Sequence, residues 1–317
     1  MTLTERDGDV SAIVRRPTQR IPLLVLLGVG VAVVVVIAVS AAWNRSTTGP
    51  EPVVPAGHVH GLGVNEADGS IMVASHGGLF RVDSDGDGVE RVGDSYRDMM
   101  GFAVIGPDEF VASGHPDVSG MLDGDPGLLG LLRSTDGGST WQSLSLRGES
   151  DLHELVPEGD NLWAWDATSS EVMLSKDLQS WESRSTVDEL TDVAVDPDDS
   201  DRLLATTTSG ALLSADGGRT WEPLDTPSGL VQVAWSPELG LFGLDGDGVL
   251  WAGDERVWSR IGEVPGEPQV LAGDGSVLLV AVTGSDGVTE VHRSLDGGRG
   301  WSEVFRDTAA EAQDGPS

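Results

Sequence analysis

A six-bladed β-propeller preceded by one N-terminal transmembrane helix is the fold this sequence predicts, and three observations predict it. The first is a recurring turn. Ser134-Thr-Asp136-Gly-Gly138-Ser-Thr-Trp141 reads S-x-D-x-G-x-x-W, and Ser214 to Trp221 and Ser294 to Trp301 read the same. Ser175-Lys-Asp177-Leu-Gln-Ser-Trp181 is a copy one residue short, and Asp254-Glu-Arg-Val-Trp258 keeps its short Asp-to-Trp interval. The second is the period: the Ser positions lie 41, 39 and 80 residues apart, the spacing of stacked supersecondary units. The third is Ile21–Trp43, 23 residues without a charge, which span ~30 Å of hydrocarbon at about 1.5 Å per residue.

Each turn has a physical reading. The glycines of D-G-G accept positive φ, and Asp hydrogen-bonds backbone amides of a tight turn. Apolar or alternating residues flank each copy, so each is a hairpin turn whose Trp opens the returning strand and packs between blades. Residues 57–307 give about 42 residues per blade for six blades. The first blade's strands are expected at His60–Val64, Ile71–Ser75, Leu79–Val82 and Val89–Val92. The second blade's are expected at Met99–Ile105, Phe110–Ser113, Leu128–Arg133 and Trp141–Leu146. The later blades start at Leu152, Thr191, Val231 and near Gln269. Val277-Leu-Leu-Val-Ala-Val282 reads as a strand buried on both faces. No stretch after Trp43 carries a helical period.

The resulting domain plan is a cytoplasmic segment 1–20, a transmembrane helix 21–43, a Pro/Thr linker 44–56, the propeller 57–307 and a disordered tail 308–317. Arg15, Arg16 and Arg20 precede the apolar run and acidic sequence follows it, which keeps the N-terminus cytoplasmic. The protein is then a single-pass protein of the cell membrane with an extracytoplasmic propeller. The rival is a cleaved signal peptide ending near Ala38-Val39-Ser40, although signal peptides have apolar regions of only roughly 7–15 residues.

The net charge is −33, and residues 1–20 contribute +1, so the remainder carries −34. A surface so acidic excludes nucleic acid and anionic surfaces as electrostatic partners. There is no cysteine, hence no disulfide framework and no thiolate chemistry. No organic cofactor is implied.

Five of the six histidines fall between positions 58 and 153. Propeller strands alternate in direction, so connections between blades and second-to-third turns share one face, opposite the D-G-G turns. His58 and His60 open the first blade's inner strand, His76 and His115 end the second strands of blades one and two, and His153 opens the third inner strand. All five map to one face of three adjacent blades. His58-Val-His60 places two imidazoles on one side of a strand. Asp98, Asp117 and Asp151 belong to the same loops, as do Met99, Met100 and Met121. His with carboxylate suits zinc, and His with Met suits copper. The expected metal set is His58, His60, His76, His115, Asp117 and His153; the alternative is a polar groove without a metal. Separately, Asp83-Ser-Asp85-Gly-Asp87-Gly88 offers alternating carboxylates to calcium, or else is a solvated acidic hairpin.

The repeated turn resembles the Asp-box (BNR) motif of sialidase-like β-propellers. His58-Val-His60-Gly-Leu-Gly, followed by Ala74-Ser-His76-Gly-Gly-Leu-Phe-Arg81, resembles bacterial membrane-anchored Asp-box proteins labelled glycosyl hydrolase or exo-sialidase. The resemblance covers most of 57–307 and implies the propeller more firmly than an activity. A sialidase would need three convergent arginines, a tyrosine activated by a glutamate, and an acidic residue. Tyr96 is the one tyrosine, and Arg97 beside it has no two partners at equivalent blade entrances. An ordinary glycosidase needs two carboxylates ~5–9.5 Å apart, for which Asp98, Glu149, Asp151 and Asp166 are candidates. Two functions follow. One is a binding or assembly module for a glycan, peptide or protein ligand; the alternative is a glycoside hydrolase.

Overall fold

The computed structural model describes residues 55–86, 88–93, 96–254 and 256–308. The cytoplasmic segment, the apolar run 21–43, nearly all of the linker, the tail beyond residue 308 and Asp87 lie outside the described residues. Among the described residues no helix is long and apolar enough to cross a membrane. The described residues form one compact unit.

Twenty-four strands form six antiparallel four-stranded sheets, each from consecutive strands. The first comprises β1 (Val59–Val64), β2 (Ile71–Ser75), β3 (Gly78–Val82) and β4 (Val89–Arg91). The second comprises β5 (Asp98–Gly106), β6 (Glu109–His115), β7 (Leu131–Ser134) and β8 (Gln142–Ser145). The third starts at β9 (Leu152–Glu158) and ends at β12 (Trp181–Thr186). The last three open with β13 (Leu190–Asp196), β17 (Leu230–Ser236) and β21 (Glu267–Asp274). Six blades of four strands, with starts within two residues of expectation, make this the six-bladed all-β propeller.

One correction concerns helix. Val118–Asp123 forms a short helix, α1, between β6 and β7. Its sequence has no amphipathic period because no residue of it is buried. It exists through its caps: Asp117 accepts from Gly120 N, and Gly124 closes the last turn in the left-handed region at φ +91°.

The repeated turns join third to fourth strands. Ser134 Oγ donates to Asp136 Oδ1 (2.8 Å) and accepts from Gly138 N (2.9 Å), while Thr140 N donates to the same Asp136 oxygen (2.8 Å). Ser214–Asp216–Thr220 and Ser294–Asp296–Gly300 repeat this. The second glycine is needed for space as well as for φ. A Cβ on Gly298 (φ +84°) would lie 2.1 Å from Leu250 of the preceding blade, and one on Gly138 (φ +88°) 2.4 Å from Leu79. The tryptophans wedge between blades: Trp181 Nε1 donates to Ser145 Oγ (3.0 Å) and Trp221 Nε1 to Ser185 Oγ (2.9 Å), each on the outer strand of the blade before.

The core is divided into six apolar clusters, one at each seam between neighbouring blades. The 277–282 run is buried throughout except at Val277. The ring closes without exchanging a strand. Gln269 Oε1 of blade six accepts from Val59 N of blade one (2.8 Å), Thr289 Oγ1 donates to Gly57 O (2.9 Å), and Gly57 N donates to Asp307 Oδ2 (3.3 Å).

Candidate functional site

All six inner strands carry a bulge at the same step. The unpaired residue is His60 in β1, Met100 in β5, His153 in β9, Thr191 in β13, Val231 in β17 and Gln269 in β21. Each follows a residue paired with the second strand, and a bulge re-aims its side chain. Five of them, all but Val231, line a central channel of about 630 Å³, whose wall includes all six inner strands. Just outside lie the ends of the second strands, His76, His115, Ala167, Thr208, Gly246 and Thr283 in blade order. Four of the five histidines therefore occupy corresponding steps of blades one to three, and His58 lies two residues before the bulge of β1.

Their side chains meet. The His60 ring lies 4.8 Å from His58 and 4.6 Å from His76, and His58 lies 6.2 Å from His76. His60 Nε2 and His76 Nε2 are 3.2 Å apart, and His76 Nδ1 is 2.7 Å from Asp98 Oδ1. A carboxylate accepts, so the hydrogen bond to Asp98 assigns a proton to His76 Nδ1, and His76 Nε2 is then the acceptor of its contact with His60 Nε2. Burial, then the neighbouring His58, His76 and His153, push His60 down to about 3, against a small upward pull from Asp151. Burial and His76 also lower His58. These imidazoles are thus neutral and available as ligands at neutral pH.

The next seam repeats the pairing. Asp151 Oδ2 lies 3.1 Å from His153 Nε2 and 3.7 Å from His115 Nε2, and His115 Nδ1 donates to Gly127 O (2.8 Å). Burial pushes the Asp151 carboxyl up, but the His153 hydrogen bond and the charges of His153, His115 and His60 hold it below the usual range. Asp151 Oδ1 is buried without a hydrogen-bond partner.

Asp117 sits elsewhere: its oxygens take Gly120 N (2.8 Å) and Tyr96 N (3.0 Å), which makes it the cap of α1 and the clamp of the β4–β5 connection. Tyr96 lies under the Arg91 guanidinium, 3.4 Å from the ring centroid. Asp166 is buried, holding Asp151 N (2.9 Å), Thr168 N (3.1 Å) and Ser169 Oγ (2.9 Å). Glu149 is exposed in the turn after β8. Of the carboxylate candidates, Asp98 and Asp151 join the histidines. Met99 is buried, Met121 is exposed on α1, and Met100 lines the channel. Asp83 and Asp85 are exposed on the β3–β4 turn; their expected calcium partner Asp87 lies outside the described residues.

Sequence reasoning missed two acids. Glu154 and Asp192 follow the bulges of β9 and β13 and line the channel wall. Asp192 accepts from Val193 N (2.7 Å) and Val233 N (2.8 Å). Burial raises both carboxyls, Asp192 to about 7, and they hydrogen-bond to one another. Asp192's oxygens receive the backbone donors, and the two carboxyls titrate as a pair that keeps protons above the usual carboxylate range. The available signal was an acid inside an apolar inner strand, as in Leu152-His-Glu-Leu-Val and Leu190-Thr-Asp-Val-Ala.

A second donor group, Glu290, His292 and Glu303, has its ligand atoms within 4.8 Å of one another in blade six. Arg306 already occupies it in part, pairing with Glu290 and lying 4.0 Å from Glu303.

No family model and no curated protein matches the chain. Solved structures do. A GH74 xyloglucanase from Xanthomonas campestris superposes with a TM-score of 0.52 at 19% identity, covering 80% of this chain and 46% of that one. YCF48 in complex with a peptide gives 0.52 at 15%, covering 84% and 85%, and a gluconolactonase of Xanthomonas campestris gives 0.57 at 17%, covering 71% and 83%. The chain thus spans just under half of the xyloglucanase. At such identities the comparisons establish one thing, the β-propeller fold, which these proteins put to different uses.

Proposed function

We propose that the protein is a membrane-anchored, extracytoplasmic binding module whose channel mouth holds a transition-metal ion. The observation that carries this is the His60–His76–Asp98 arrangement. Two ligands at about 2.0–2.1 Å from a tetrahedral ion lie about 3.3 Å apart, and the two Nε2 atoms lie 3.2 Å apart. Asp98 on Nδ1 supplies the outer partner that fixes the tautomer of a metal-ligating His. The anchor rests on the 23-residue apolar run and the arginines before it. The S-x-D-x-G turns favour kinship with sialidase-like Asp-box propellers, a kinship of fold rather than of reaction.

The glycoside hydrolase reading fits less well. The channel's carboxyl pair is in mutual hydrogen-bond contact, closer than the ~5 Å that even a retaining glycosidase keeps between its two acids.

The test is elemental analysis of the purified full chain after incubation with zinc and copper salts and desalting. About one ion per chain is expected. His60→Ala and His76→Ala should lose it, and His292→Gln should keep it. A wild-type protein that retains no metal overturns the reading.

A further inference from the structure

The bulged residues give the mouth a definite order. β1, β5 and β9 are consecutive neighbours around the channel, so Met100 stands between His60 and His153 at the same step of the ring. All three line the same cavity, together with His58. Packing gives no reason for a thioether here. Met99, one residue earlier, is the one that enters the core between blades one and two, in the cluster with Phe102 and Phe110. Met100 is half-buried, stands at the bulge of β5 and lines the channel that His58, His60 and His153 also line.

A thioether is a soft and uncharged donor. It adds little for zinc, calcium or magnesium, and much for monovalent copper, which imidazole also suits. The sequence offers no thiolate that would compete for such an ion. Within this set the donors are two imidazoles and a thioether, none of them an anion. The Asp98 carboxylate is committed to the far nitrogen of His76. Such a donor set favours a singly charged ion over a divalent one, because less charge is left uncompensated in a half-buried mouth.

We infer that the mouth is selective for monovalent copper, with His60 and His76 as nitrogen ligands and the Met100 thioether as the third ligand. The inference rests on the metal-binding reading above and adds the identity of the ion and a residue that selects it.

The test compares two affinities in wild type, Met100→Leu and Met121→Leu. Monovalent copper is measured by competition with bicinchoninate under anaerobic reduction, and zinc by competition with a chromophoric chelator. Met100→Leu conserves volume, so folding should be unaffected. The expected result is a loss of roughly tenfold or more in copper affinity with zinc affinity unchanged within about twofold. Met121→Leu, on the exposed face of α1, should alter neither. Equal losses for both metals, or no loss for either, overturn the assignment of Met100 while leaving the metal site standing. Retention of zinc but not copper by the wild type overturns the copper assignment outright. A wild type that binds neither removes both readings together.

Discussion

The two halves of the mouth are built on one backbone and differ in how their polar groups are satisfied. In blades four to six the bulged Thr191 donates to Thr206 Oγ1 (2.9 Å), and Thr208 donates to Glu189. Gln269 holds Val59 N, Thr283 and Thr289 at once. That half is closed upon itself and serves the ring. In blades one to three the same steps carry His60, His76, His115 and His153, and acceptors are in surplus. Asp151 keeps a buried oxygen without a donor while His153 and His115 crowd its other oxygen. Buried acceptors without donors are uncommon, and a cation is one of the few things that satisfies several together. A repeat architecture can thus keep its frame and vary the saturation of one position from blade to blade.

Three changes would break or sharpen that contrast. The largest effect is expected from Gln269→Ala, which orphans the buried Val59 N–H and removes the donor to Thr283 Oγ1; at ~1–3 kcal/mol for a buried unsatisfied group, a loss of about 3 kcal/mol is expected. His60→Ala on the other half should cost less than about 1 kcal/mol, since no buried donor depends on it. Chemical denaturation of both variants checks this, and equal losses would erase the distinction between the halves.

The second concerns the channel acids. Asp192 rises from 3.8 to about 7, so the folded protein holds a proton that the unfolded chain releases over that range. Stability should therefore fall as pH climbs from about 4 to 7. Glu154→Gln supplies a permanent amide donor to Asp192 and should flatten this slope. Thermal melts across the range test it, and an unchanged slope in Glu154→Gln would separate the slope from the pair.

The third lies on the histidine side and has the opposite sign. His60 is lowered from 6.5 to about 3, so the unfolded state takes up the proton first and stability should decline as pH falls from 6.5 towards 3. His60→Gln should soften that acidic limb of the same melts and leave the alkaline limb untouched. A wild-type curve with no loss below pH ~6 would show that the buried imidazole is freely protonated.

Much of this architecture was legible in the residues, and the reason is local. The Ser–Asp–Gly–Gly–Trp turns are closed by bonds within seven residues, so pattern alone located them and the strands on either side. Convergence of the histidines followed from strand direction, because topology decides which turns share a face. The bulges were not legible. A bulge is a disagreement between two strands, and neither His60 nor Met100 announces in its own sequence that its partner strand skips it. The Glu154–Asp192 pair was hidden for a related reason: the two residues meet across a seam between blades and are 38 positions apart. α1 escaped notice since its helical signal lies in its caps.

The closure of the ring has a further consequence. Blade six meets blade one through side chains, with Gly57 N within hydrogen-bond reach of Asp307, and no strand of either blade belongs to the other. The covalent break in the circle is therefore an accident of where the chain is read from. A circular permutant joining residues 57 and 307 through a short linker, and opening between any other two blades, would leave all six sheets whole. Propellers that lock their ends by sharing a blade lack that freedom. Here a whole blade can be duplicated, lost or shuffled as one contiguous stretch of chain, and the half-circle of histidines can be inherited by blade rather than residue by residue.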